Sequence, residues 1–349
     1  MAGHMQGGGL RRRQVLGAAG LGASGLALLA AAGVRAAAPL QAPAAARLPV
    51  SERPALALRR PTQCVLLAAA RAGKRLLAAG ERGVVVGSDD GGRSWQQAEV
   101  PTSVTLTALA FADERLGWAV GHQGVVLRTD DGGRRWQRLA AEGGDRPLLH
   151  LALRRDGTLI ASGAYGLVQT SRDGGRQWAM LGDELPNPEG LSLYGHVERD
   201  GEQWLFGEQG LLLRADAANP RFRAHAAPQA ATLFSGLALR DGTLLIGGLR
   251  GRLLRSAAPG AAFESVATPV DASLLGAAQL ADGTVLLAGA AGQLLASRDA
   301  GQRFVPVPLN TRFPFAAVAA APDGALLLAG QRGLLRVEPS ALEPRSLQK

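Results

Sequence analysis

Four carboxylates stand at matched places along the chain: Asp90, Asp131, Asp173 and Asp299. Each sits in the pattern Ser/Thr-x-Asp-x-Gly-x-x-Trp/Phe, whose aromatic members are Trp95, Trp136, Trp178 and Phe304. A carboxylate so placed can accept bonds from the N–H groups of its own turn. The Gly permits a left-handed bend, and the ring can bury a large area between sheets. This is a folding device, so these Asp and aromatic residues are read as structural rather than as acid–base groups. Other reactive types are scattered. His122, His150, His196 and His225 fall on different repeats without ligand spacing such as His-x-x-x-His, so no metal is expected. Cys64 is the only cysteine and lies in an apolar stretch, which reads as a small buried hydrophobe rather than a reactive thiol. The Gly-Gly pairs follow Asp inside hairpins rather than a strand entering a helix, so no phosphate cradle is present and no cofactor is expected.

The elements that position these groups recur. Gly-x-x-Gly begins at Gly80, Gly121, Gly163, Gly207, Gly248, Gly289 and Gly330, at intervals of 41, 42, 44, 41, 41 and 41 residues. A period near forty with strand-like content predicts an all-β, seven-bladed propeller. The second repeat shows the grammar: strands over 106–112, 118–121, 124–129 and 136–139, with turns between them. Asp-Gly turns recur at Asp156-Gly157, Asp200-Gly201, Asp241-Gly242, Asp282-Gly283 and Asp323-Gly324. The last repeat stops after its third strand. An N-terminal strand over 54–59 is therefore expected to complete the seventh blade and protect its edge. The residue pairs between the paired glycines are expected to form two-residue hairpins on one face of the ring. Arg82, Gln123, Tyr165, Gln209, Arg250 and Arg332 on these turns are the candidate partner-binding residues. The Asp-bearing turns are expected on the other face.

Bulk properties narrow the class. Hydrophobic residues make up 47% of the 349 residues and charged ones 19%, which excludes long disorder over most of the chain. The net charge is +9, but only Lys74 and Lys349 are lysines, and the arginines are spread over every repeat. Without a dense basic run, a nucleic-acid groove is not expected. Arg11-Arg12-Arg13 precedes a Gly/Ala/Leu run, the layout of a twin-arginine export signal, with small residues placed for cleavage after Ala36. The expected organisation is a signal peptide over 1–36, an Ala/Pro-rich linker over 37–53, a propeller over 54–338 and a tail over 339–349. Export places the protein in the periplasm, or in a thylakoid lumen in a photosynthetic source.

The repeated turn resembles the Asp-box, or bacterial neuraminidase repeat, found in sialidases, sortilin-type receptors and a photosystem II stability/assembly factor family. The wording of residues 83–95 and 116–136 is most similar to the last, and the likeness is strongest over 73–180. The resemblance implies a seven-bladed propeller outside the cytoplasm. It also implies a non-enzymatic chaperone that binds a membrane-protein complex or its assembly intermediate; the chain itself is expected to be peripheral to the membrane and monomeric. Related sequences occur beside export pumps in bacteria without a photosystem, and an Arg-rich patch is attributed to plant and cyanobacterial members. The alternatives are an Asp-box glycoside hydrolase and a carbohydrate- or peptide-binding propeller. The first needs a Tyr nucleophile with an acidic partner, an Arg triad and a separate Asp. Only Tyr165 and Tyr194 are available, and neither has a context that names a nucleophile. Arg47-Leu-Pro49 matches the sialidase start motif but falls before any blade.

Overall fold

The computed structural model describes residues 48–140 and 143–342. Seven antiparallel sheets follow one another in chain order. Six have four strands, and the seventh has three: Phe315–Ala320, Leu326–Gly330 and Gly333–Val337. Blade 1 is typical, with Leu66–Ala72 innermost, then Arg75–Gly80, Val85–Ser88 and Gln96–Gln97. The second strand of each blade reads as a nearly continuous small or apolar run because both of its faces meet a neighbouring sheet, and Arg75–Gly80 is buried throughout.

The core consists of seams. Each main cluster of buried side chains joins two adjacent sheets. Leu77, Ala79 and Val85 of blade 1 meet Leu127 and Trp136 of blade 2. Trp204 and Phe206 of blade 4 meet Ile246, Leu254 and Phe263 of blade 5. The last seam joins Ala329 and Leu334 of blade 7 to Leu66, Ala78 and Val86 of blade 1, so packing closes the ring. A buried aromatic ring in such a seam contributes roughly 4–6 kcal/mol of gross transfer free energy.

Residues 54–59 form no strand, contrary to expectation. They run as a strap along blade 1. Ala55 N–H donates to the Val100 carbonyl (2.9 Å), and the Gln97 side-chain amide bridges the strap. Its Oε1 accepts from Leu58 N–H and its Nε2 donates to the Leu56 carbonyl, each at 2.9 Å. The alternation of apolar residues that suggested a strand serves instead to seat Ala55 and Leu58 on two different seams, while Leu56 is 67% exposed. The chain then crosses the start of the Gly333–Val337 strand through the short 3-10 turn Pro61–Gln63, rather than running along that strand's edge. A Cβ at Gly333 would lie 1.8 Å from the Thr62 carbonyl oxygen. Residues 1–36 of the expected signal, the first part of the linker and residues 343–349 of the tail lie outside the described residues.

Candidate functional site: the Gly-x-x-Gly face

Six of the seven turns share one geometry. In the first, Val84 N–H donates to the Glu81 carbonyl, and the two residues between them are left-handed: Arg82 at φ 56° and Gly83 at φ 71°. This is a type I′ turn. Gln123, Tyr165, Gln209, Arg250 and Ala291 occupy the same place at φ 53–56°, each followed by a left-handed Gly. The two-residue loop is thus displaced by one position from the sequence reading. Its central pair is the residue before the second Gly, together with that Gly. The second Gly is needed twice over, since a Cβ at Gly83 would also lie 1.9 Å from the Thr102 carbonyl oxygen. The seventh turn is one residue shorter. Gly330 pairs directly with Gly333, and Arg332 is not left-handed.

A non-Gly residue in the left-handed region costs of order 1 kcal/mol. Here that cost recurs in six blades, and in each the strained side chain is exposed. Topology places all six on the side of the ring where one blade connects to the next, as expected, and Arg332 joins them. The Arg332 guanidinium stacks on the Phe313 ring at 4.0 Å, leaving Phe313 39% exposed. Arg250 and Arg252 border a cleft of about 500 Å³ that also contains Thr268 and Asp271. Planar guanidinium groups in such a setting suit carboxylates and peptide carbonyls. The six candidate residues therefore share one face but do not converge on one pocket.

The central opening is lined by the inner strands and is mostly small or apolar, including Ala69, Leu109, Leu149 and Ala277. Thr107 and Ser235 donate their hydroxyls to the Leu148 and Leu274 carbonyls. At its rim Tyr194 packs against Phe234, with ring centroids 5.3 Å apart. Tyr194 donates to Glu208 at 3.2 Å, and Glu208 also accepts from Ser192 N–H at 2.7 Å. A Tyr–Glu pair at the mouth is one element of the glycosidase alternative. Burial and then the Glu208 charge push the Tyr194 phenol above its ordinary value, so it carries its proton and donates it to Glu208. No group of three or more His, Cys, Asp or Glu that could hold a metal ion occurs among the described residues. Burial pushes the Cys64 thiol up to about 11, and the thiol donates to the Pro61 carbonyl.

The Asp-bearing turns lie at the opposite ends of the third and fourth strands and form as expected. Asp131 Oδ1 accepts from the Arg134 and Arg135 N–H groups at 3.0 and 2.9 Å and from the Thr129 hydroxyl at 2.9 Å. Trp136 Nε1 donates to the Gly133 carbonyl, and its ring enters the blade 1–2 seam. Asp90, Asp173 and Asp299 repeat this closure. The Gln177 N–H, then the Ser171 hydroxyl, hold the Asp173 carboxyl below its ordinary range. Trp95 and Trp178 donate to Gly92 and Gly175, and Phe304 packs into the blade 5–6 seam. In each box one carboxylate oxygen accepts three bonds from its own turn, which fits a structural role.

One buried set had no signal in the sequence. The blade 5 turn has lost its Asp, and Glu202 of blade 4 accepts at 2.8 Å from Gly260 N–H, the donor that the box Ser or Thr hydroxyl holds in blades 1, 2, 3 and 6. Glu202 also accepts from Arg199 at 2.7 Å and pairs with Arg214 at 2.8 Å. Only the partners' positions in space identify it.

Residues 87–146 match the family model described as Photosynthesis system II assembly factor YCF48. No curated protein matches the chain in sequence. Among solved structures, YCF48 bound to D1 peptide superposes with a TM-score of 0.63 at 20% identity, covering 79% of this chain and 94% of that one. YCF48 from Cyanidioschyzon merolae gives 0.64 at 17% identity, over 82% and 99%. A streptogramin B lyase, an enzyme, gives 0.69 at 14% identity, over 80% and 95%. At these identities the structures speak for the fold alone, and the propeller is common to binders and enzymes. In the sequence of residues 87–146 and in its seven-bladed architecture, the chain is thus similar to the photosystem II assembly-factor propellers.

Proposed function

We propose that this chain is an exported, non-catalytic scaffold that binds a segment of a membrane-protein partner on its Gly-x-x-Gly face. The carrying observation is the repeated left-handed turn, which holds Arg82, Gln123, Tyr165, Gln209 and Arg250 in solvent on one side of the ring at a recurring cost in backbone strain. Arg332 on Phe313 and the Arg250–Arg252 cleft add cationic and apolar contact on the same side. The likeness of residues 87–146 to YCF48 supports an assembly role, and a YCF48 has been seen bound to a D1 peptide. The partner is an assembly intermediate in a phototroph and an export-pump complex in a bacterium without a photosystem. The twin-arginine pattern of the first residues supports delivery across a membrane.

The test is co-purification of the tagged chain with its source membranes and identification of what is retained. A triple reversal, Arg82→Glu, Arg250→Glu and Arg332→Glu, should abolish retention of an identified membrane protein without lowering the melting temperature, since all three side chains are exposed. Retention unchanged by the reversal would remove this face from the account. Turnover of a glycoside by the purified chain would remove the non-catalytic role.

A further inference from the structure

Among the described residues the seventh blade ends in an open edge. Among the described residues the Gly333–Val337 strand pairs only with Leu326–Gly330, and no backbone group on its outer side has a main-chain partner. One position shows the consequence. The third-strand residue that pairs with the same second-strand site in each blade is Val86, Leu127, Gln169, Leu213, Leu254 and Leu295 in blades 1 to 6, at 0–3% exposure. In blade 7 it is Leu335, at 36%. Among the described residues nothing in the seventh blade supplies the fourth strand and box aromatic that cover this position elsewhere.

The facing wall matches the gap. The first fourth-strand position is Gln96, Gln137, Ala179, Arg223 and Glu264 in the first five blades, but Val305 in the sixth. Val305 pairs with Ala296 of the blade 6–7 seam and is 61% exposed. Beside Val305 runs a groove of about 810 Å³ lined also by Ala296, Val307 and Leu342. Arg298, Arg303 and Asp299 stand on its wall; Arg298 donates to the Leu342 carbonyl at 3.1 Å, and neither arginine forms an ion pair with a carboxylate among the described residues, which leaves the Arg303 guanidinium the freer cation. Leu342 lies in the same cluster as Val337, which places the groove at the Val337 end of the open strand.

We propose that the outer edge of Gly333–Val337 receives an extended strand from a partner polypeptide, apolar at alternate positions and acidic at its N-terminal end. Main-chain bonds to the open edge would hold it, alternate side chains would cover Leu335 and Val305, and Arg298 and Arg303 would select its charge. The orientation follows from the other blades, where the fourth strand runs antiparallel to the third and so begins beside the box turn. Five residues of edge span roughly 17 Å, which a peptide of about seven residues covers. This surface is the rim of the ring, separate from the Gly-x-x-Gly face.

The test uses the full chain and a synthetic peptide of about seven residues, an aspartate followed by alternating valine and threonine, with amide exchange read by mass spectrometry. At saturation, exchange over 333–337 should slow by about tenfold, with no change in blades 2 to 4. Replacing the leading aspartate with lysine, or combining Arg298→Glu with Arg303→Glu, should weaken binding by about fivefold or more. Leu335→Asp, at an exposed site, should abolish the effect while the chain stays folded. Three results would overturn the proposal. In one, these amides are already protected in the free chain and lose protection when residues 343–349 are removed, so the chain's own tail holds the edge. In another, protection rises only with protein concentration and a doubled mass, so a second copy holds it. In the third, the peptide leaves exchange unchanged.

Discussion

Replacing Glu202 with alanine should be among the most damaging single changes in the ring. Glu202 is 4% exposed and Arg199 is 1% exposed. Besides the Glu202 carboxylate, the Arg199 guanidinium is bonded only to the Gly242 and Ser256 carbonyls and the Ser256 hydroxyl. Removing its counter-charge leaves a buried cation beside neutral acceptors, which costs about 3–5 kcal/mol. The freed Gly260 N–H adds about 1 kcal/mol. At about 2 °C per kcal/mol for a domain of this size, calorimetry should show melting about 8–12 °C lower. Combining Arg199→Met with Glu202→Leu should restore most of this, to within about 2 kcal/mol of the parent, because the charge is then gone from both sides. The reasoning fails if Glu202→Ala costs less than about 1 kcal/mol, or if the double replacement melts as low as the single one.

Acid should weaken the ring before the carboxylates titrate. His150 and His196 face each other across the blade 3–4 seam, and burial lowers them to about 4 and about 3. The unfolded chain binds protons at both sites below about pH 6.5 while the folded chain does not, so stability is full above that value and falls as pH drops toward 4. The slope is about 1 kcal/mol per pH unit for each imidazole, and His196→Leu should remove half of it in urea titrations between about pH 6 and 4.5. Ala291→Gly and Tyr165→Gly should each stabilise the fold by about 1 kcal/mol by relieving a left-handed backbone, but only Tyr165→Gly should also weaken partner retention. Cys64 should resist a thiol reagent at pH 8 in the native chain and react after denaturation, because burial keeps the thiol protonated.

The parts of the molecule legible in the sequence are those governed by local rules. The period of Gly-x-x-Gly, the Asp-Gly turns and the Asp-boxes at Asp90, Asp131, Asp173 and Asp299 each satisfy backbone groups within a few residues of themselves. The displaced turn was less legible, because either reading of Gly80–Gly83 gives a two-residue loop and only the Glu81–Val84 bond decides. The strap at 54–59 was misread because its apolar alternation suits a strand as well as a coil that seats two side chains on two seams. Glu202 was invisible for a different reason. It answers an N–H that is 58 residues away in sequence, and no local pattern marks a carboxylate as the acceptor for another blade's turn. Within the candidate site, the sequence located the seven turns and their face, while the strained backbone and the Arg332–Phe313 stack needed coordinates.

The central claim is that the box turns are self-closed wall material and that the opposite face grips a partner. A photo-reactive side chain placed in turn at Gln123, Arg250, Asp130 and Arg176, followed by irradiation in the source cells, tests it most directly. The account predicts that one and the same membrane protein is captured from Gln123 and Arg250, and that it is absent from the two box-turn positions. Capture of that protein from Asp130 and Arg176 alone would contradict it.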